Sequence, residues 1–369
     1  MGLILFSTIV HRSLAPGRGT QDYYASKSAL ASRQTLANWH NRFPSVIPYI
    51  TQIISELSVS SASNSNSLNA HSPLFPNLII VRSLRWSAAG AELAGKLVSA
   101  IKPLLRSKEW QVRRVAAQAL SSLISPESAP EVVLESISAS PAGNNERHGL
   151  LLLSRHLVLD VVDWTSGEEA RRAKTEHALR ELLLSSESDT PLVAQAKIDL
   201  VTAYIGAAPA ASNETISALL VCANRALSSK SSQPGHSLLI ASASNAVLQY
   251  DLEEQTLARL LSNNDEDVHL PALENAAASI RTGGVSQSTV DGIIEIVLKA
   301  NAMAAQIAAF EALCDVPITS STLLQCAPGI SQKIMARAKD LALGSKCVPL
   351  QEAALALYGF SLAWVSRSI

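Results

Sequence analysis

The sequence predicts an all-α chain, an α-solenoid of stacked helix pairs of the HEAT/armadillo type, and three observations predict it. First, 47% of the 369 residues are hydrophobic, yet only 4% are aromatic and only 16 are glycine. Ala and Leu dominate the apolar share, as in helices that use small residues to approach closely. So little glycine leaves scant material for phosphate loops or parallel βαβ units. Second, "WQVRRVAAQALSSLI" places Val112, Val115, Ala116, Ala119, Leu120 and Leu123 on one stripe, the i, i+3, i+4 pattern of a helix with one buried face. Arg113, Arg114 and Gln118 fall off that stripe. Third, a motif recurs: "SKEWQVRRVAAQAL" (107–120), "NNDEDVHLPALENA" (263–276) and, more weakly, "SKCVPLQEAALAL" (345–357). Each is a polar turn, a Val, then an Ala-rich helix. Val112, Val268 and Val348 are about 156 and 80 residues apart, close to multiples of the roughly 40-residue unit of HEAT-type arrays. Intervening units are expected near Leu151, Ala194 and Ile307.

Taken in order, residues 1–57 read as a helical segment continuing an array from upstream. "MGLILFSTIV" has no basic n-region, a short apolar run, and "HRS" where a signal peptide would have a small-residue cleavage site. It reads instead as a core helix missing its preceding neighbour, with Leu3, Leu5 and Ile9 apolar at the chain's end. Residues 58–72, "SVSSASNSNSLNAHS", lack charge and apolar pattern and are expected to form a flexible loop. The array resumes at "PLFPNLIIVRSL" and runs through 73–160. "SP" at 125–126 and "AP" at 129–130 break it, "EVVLESIS" starts a second helix, and "SPAGNNE" breaks it again. Residues 161–369 continue as C-terminal helical repeats. No stretch holds the roughly 18 uninterrupted apolar residues of a membrane helix, so the chain is expected to be cytoplasmic with no membrane contact. Cys222, Cys314, Cys326 and Cys347 form no C-x-x-C pair and have no histidine at a zinc spacing. They read as thiols of a reducing compartment.

The net charge of −1 conceals an asymmetry. Residues 1–114 carry 13 Lys/Arg against four acids, and the remainder carries 17 against 27. A basic part of this kind suits a polyanion, although the two halves could equally face each other or solvent. Catalytic motifs are absent: there is no G-x-S-x-G, Walker loop, H-E-x-x-H or G-x-G-x-x-G. No cofactor or metal is therefore expected. "NNDEDVH" (263–269) gathers acids beside His269, but acids at a helix start complement the helix dipole, which outweighs a metal reading. "NNERHGLLLLSRHL" (144–157) sets His148 against a leucine run. Asn144 and Asn145 suit a turn and N-cap, Glu146 a first turn, and Gly149 a close helix contact. His148 is then the polar start of a buried helix, since no nucleophile or orienting acid is nominated for it.

Several of these stretches also carry a family resemblance. "LILFSTIVHRSL", "RFPSVIPYI", "HSPLFPNLIIVRSL", "EWQVRRVAAQALSSLI" and "NNERHGLLLLSRHL" follow one another in an order and spacing that resemble the THADA family, over residues 1 to about 160. The resemblance implies a large armadillo-like helical protein, the non-catalytic partner of a tRNA ribose 2′-O-methyltransferase acting at nucleotide 32 of the anticodon loop. It implies the methyltransferase catalytic subunit and tRNA as partners. In that family an Arg-Arg-Ser-Ala-Gly-Leu-Pro segment lies upstream of the first of these stretches, so this chain is expected to be the C-terminal portion of a longer protein or a truncated gene product. Lys108, in the turn before the striped helix, together with Arg113 and Arg114, is the candidate RNA- or partner-binding set. The alternative is a general helical scaffold of the importin or adaptin kind that binds proteins without RNA; an unrecognised hydrolase ranks third.

Overall fold

The computed structural model describes residues 35–63, 73–139, 141–164, 169–185, 189–208, 211–229, 233–251, 256–263, 266–282, 286–317, 323, 326 and 329–367. The expectations for Leu3, Leu5 and Ile9, and for residues 64–72 of the Ser/Asn stretch, lie outside them. The chain divides into two compact units, Met1–Ala218 and Leu219–Ile369. Among the described residues there is no strand, only an isolated bridge between Thr35 and Arg85.

In the first unit the helices are α1 (Leu36–Arg42), α2 (Val46–Ser63), α3 (Leu74–Arg82), α4 (Ala91–Ile101), α5 (Trp110–Leu123), α6 (Ala129–Ser138), α7 (Asn144–Asp160), α8 (Glu169–Leu184) and α9 (Pro191–Ala207). Next-but-one helices pack on one another. α3, α5, α7 and α9 follow in one layer, while α2 packs on α4 and α6 on α8 in the other. That alternation is what stacked helix pairs produce, because each pair covers the apolar face its neighbour leaves open. α3, α5, α7 and α9 start at 74, 110, 144 and 191, so the repeat is uneven rather than a steady 40.

The stripe expected on α5 is buried: Val112, Ala116 and Ala119 are wholly covered, with Leu120 and Leu123 nearly so and Val115 half-buried. Two off-stripe residues correct the expectation. Arg113 and Gln118 are also buried, at 2% and 8% exposure, because α5 is flanked by α3 and α7 within its layer and by α4 beyond it. A helix enclosed on three sides has little polar face left.

Two boundaries differ from the sequence expectation. α2 runs on to Ser63, so residues 58–63 are helix and not loop; Ser58 bonds back to the Ile54 carbonyl at 2.7 Å and across to the Ala100 carbonyl at 3.2 Å. "AP" at 129–130 does not break the chain but opens α6, since proline suits a first helical turn whose N–H has no partner in any case. α9 opens on Pro191 in the same way.

α10 (Asn213–Ser228) spans the division. The second unit holds α11 (His236–Tyr250), α12 (Thr256–Leu261), α13 (Glu266–Arg281), α14 (Gln287–Lys299), α15 (Met303–Cys314), α16 (Ile330–Gly344) and α17 (Val348–Arg367). The same alternation appears: α11, α13, α15 and α17 form one layer, and α12, α14 and α16 the other. Val112 lies in the first turn of α5, and Val268 and Val348 in the first turns of α13 and α17, two helices of one layer, although Val348 is 60% exposed. Of the expected unit starts, Ala194 falls in the first turn of α9, whereas Leu151 lies inside α7 and Ile307 inside α15; α3 and α11 have no counterpart among them. "NNDEDVH" meets the start of α13 at Glu266, and buried His269 shares a 2.8 Å hydrogen bond with the Asn263 carbonyl.

One helix bears on the membrane expectation, although Gln351 and Glu352 interrupt its apolar run. Val348–Ser366 is long and apolar enough to cross a membrane by length and composition, with a mean hydropathy of 1.2. It packs against α15 and α16 through Leu350, Ala354, Leu357 and Trp364, while its outer side carries Glu352 together with exposed Val348, Leu355 and Leu362.

Candidate interaction surface

The candidate residues gather where α4, α5 and α7 meet. After α4 the chain makes a 3-10 turn, Lys102–Arg106, and crosses residues 107–109 into α5. α7 passes directly over that turn. A Cβ built on Gly149 would lie 2.3 Å from the Leu105 carbonyl oxygen and 2.9 Å from the Leu105 Cβ, so only glycine permits this approach. The close contact expected of Gly149 is therefore present.

Arg113 is the clamp that the approach creates. Its Nε donates to His148 Nδ1 at 3.0 Å, and its Nη1 donates to the carbonyls of Ser107 (2.6 Å) and Lys108 (3.0 Å) and to Asn145 Oδ1 (3.0 Å). One guanidinium thus ties the turn before α5 to the first turns of α7. Burial lowers the Arg113 pKa from its usual value, partly offset by Glu109. Because Nε donates, His148 Nδ1 must be an acceptor, so the imidazole is neutral. Burial, then the Arg113 charge, pushes the His148 pKa down to about 4. A neutral imidazole 2% exposed and held by an arginine is a structural hydrogen-bond partner. His148 is the polar start of a buried helix, as its sequence setting implies. The N-cap itself is Gly143, not an asparagine: Asn144 already lies in the helix, and Asn145 serves Arg113. Glu146, in the first turn, accepts from the Ala142 N–H at 3.2 Å and from Arg106 at 2.7 Å.

Arg113 is consequently not a surface cation; its charge is turned inward and consumed. Lys108 and Arg114 are both exposed. Arg114 lies 6.0 Å above the Trp110 ring, a cation–π distance. Lys102 and Arg106 are exposed beside them, Arg106 being paired to Glu146. The surface therefore offers Lys102, Lys108 and Arg114 as cations, a set suited to an extended anionic partner rather than to bond-making chemistry. Among the described residues no group of His, Cys, Asp and Glu could hold a metal ion.

Sequence reasoning overlooked one buried ion pair. Lys197 on α9 is wholly buried, and its Nζ lies 2.5 Å from Asp189 Oδ2 and 3.4 Å from the Ser185 carbonyl. The signal was available, since Lys197 interrupts the buried series Val193, Leu200 and Tyr204 at helical spacing.

Stacked helix pairs with an exposed cationic turn define a helical-repeat protein that works through its surface. A profile described as "Trm732, C-terminal TPR repeats" matches residues 1–157, so this part of the chain is similar to that repeat region. α5 and α7, starting at 110 and 144, are spaced by about the 34 residues of a TPR unit. Curated relatives named "tRNA (32-2'-O)-methyltransferase regulator THADA" match over 170 residues, at 25% identity in Canis lupus familiaris and 24% in Gallus gallus. The match covers 43% of this chain but 8% of each relative, so the chain spans a small part of their length. A crystal structure of an engineered protein aligns over 85% of this chain and 83% of its own, with 14% identity and a TM-score of 0.39, too low to bear on the fold.

Proposed function

We propose that this chain is a non-catalytic regulatory scaffold for tRNA ribose 2′-O-methylation at nucleotide 32 of the anticodon loop. In this reading it binds the methyltransferase catalytic subunit and tRNA, supplies no cofactor, and works in the cytoplasm. The observation that carries the reading is the match of residues 1–157 to the Trm732 C-terminal repeats, together with relatives named as regulators of that methyltransferase. The basic balance of residues 1–114 and the exposure of Lys108 and Arg114 support a phosphate-contacting role for this part. Phosphate contacts release counterions, so tRNA affinity should fall steeply as salt rises.

The burial of Arg113 removes one expected contact and favours a second reading, a scaffold that binds proteins without touching RNA. Titrating labelled tRNA against the purified chain with and without the methyltransferase, over a range of salt, separates them. Steep salt dependence supports the first reading. Methyltransferase binding with no tRNA contribution from the chain supports the second. Failure to bind either removes both.

A further inference from the structure

In the first unit, a cleft of about 730 Å³ opens between α6, the start of α7 and α8. It straddles the end of the stretch matched to known repeats, and no residue of the cationic turn lines it. Its apolar wall is formed by Leu134 and Ile137 of α6 and by Ala178 and Leu182 of α8. Its rim brings together Arg147 of α7 and Lys174 of α8, with His177 and Glu181 beside them. Lys174 and His177 are exposed, and Arg147 is half-buried with Nη2 donating to Ser185 Oγ at 3.3 Å. Neither Arg147 nor Lys174 forms a salt bridge among the described residues, and Glu181 is the one carboxylate in the cleft's lining. Gly143 gives α7 no side-chain cap, and its positive end adds to the same field.

We propose that this cleft docks a short acidic–apolar peptide segment of a partner protein, an apolar side chain against Leu134, Ile137 and Leu182 and a carboxylate on Arg147 and Lys174. Charge complementarity selects the carboxylate, because two cations beside an apolar wall, against one carboxylate in the lining, favour an anion that also carries hydrocarbon. The volume lies within the roughly 300–1,000 Å³ of sites that enclose a compact ligand. One feature favours peptide over RNA: no Phe, Tyr or Trp lines the cleft to stack a base. The inference stands independently of the methylation reading, since the partner is defined only by its chemistry.

The test is selection of random dodecapeptides displayed on phage against the purified 369-residue chain. The selected sequences should be enriched in Leu, Ile or Phe flanked by Asp or Glu. A fluorescent peptide of the selected sequence should bind the parent and lose about tenfold in affinity on Lys174→Glu and, separately, on Ala178→Trp, which fills the cleft. Lys174 is exposed, so its variant should melt with the parent and report binding alone. Three results would overturn the proposal: no enriched peptide, enriched peptides without acidic residues, or equal binding by parent and Ala178→Trp. Displacement of the peptide by a uridine oligonucleotide that itself binds the parent would assign the cleft to RNA and overturn it as well.

Discussion

Replacing Gly149 with alanine should destabilise the first unit, although alanine is the better helix former. On propensity alone the change gains about 0.8–1.0 kcal/mol. The new methyl, however, would sit 2.3 Å from the Leu105 carbonyl oxygen, whereas carbon and oxygen in favourable contact are roughly 3.3 Å or more apart. α7 must therefore retreat by about 1 Å, and the obstacle is backbone, which cannot rotate aside. Overpacking of this kind costs about 1–3 kcal/mol. The upper end applies here, because the same retreat stretches the Arg113–His148 and Arg106–Glu146 contacts. The net loss is about 2 kcal/mol, a fall in Tm of roughly 4–8 °C for a unit of this size. Gly95 is the internal control: it lies within α4, exposed, with nothing within 4 Å of a built Cβ. Gly95→Ala should raise stability by up to about 1 kcal/mol. Circular dichroism melts and urea titrations of both variants give the comparison. A Gly149→Ala protein that melts at or above the parent would refute the close approach of α7 to the 102–106 turn.

Further predictions concern buried charge and the exposed turn. His148 has its folded pKa lowered to about 4 from 6.5, so its contribution is fully present above pH 6.5 and is lost as pH falls towards 4. At 1.36 kcal/mol per unit this reaches about 3 kcal/mol. His148→Gln should keep an acceptor for Arg113 and flatten that decline, since buried His156, shifted in the same direction, remains in both proteins; identical pH slopes would contradict it. Asp189→Ala strands the buried Lys197 ammonium and should cost about 3–5 kcal/mol, whereas Lys197→Met combined with Asp189→Leu should be near neutral. If Asp189→Ala melts with the parent, the pair does not anchor α9. Lys108→Glu with Arg114→Glu should weaken tRNA binding and lower its salt slope, by about one unit per lost contact, at unchanged Tm. Arg113→Glu should instead lower Tm. Unchanged affinity in the folded double variant removes Lys108 and Arg114 from the RNA surface.

The helices were legible in the sequence because periodicity reports burial directly. The α5 stripe and the leucines of α7 lie where their spacing puts them. Arg113 was not legible, because an arginine off the stripe reads as exposed unless the neighbouring helix is known. Its acceptors come from residues 107–108 and from α7, and local spacing carries no trace of that convergence. Residues 58–63 misled for a related reason: serine is a weak helix former, yet Ser58 is covered by α4 and its hydroxyl finds the Ala100 carbonyl, so packing overrides propensity. The cleft is likewise formed by residues from 134 to 185 that share no motif.

The most direct test of the account is ribose methylation at nucleotide 32, read by mass spectrometry of tRNA fragments. The tRNA would be incubated with S-adenosylmethionine and the methyltransferase, with the chain alone, and with both. The account predicts no product from the chain alone and more product from the pair than from the methyltransferase by itself. The Lys108→Glu, Arg114→Glu variant should stimulate less. Methylation by the chain alone, or a product yield that its presence leaves unchanged, would contradict the account.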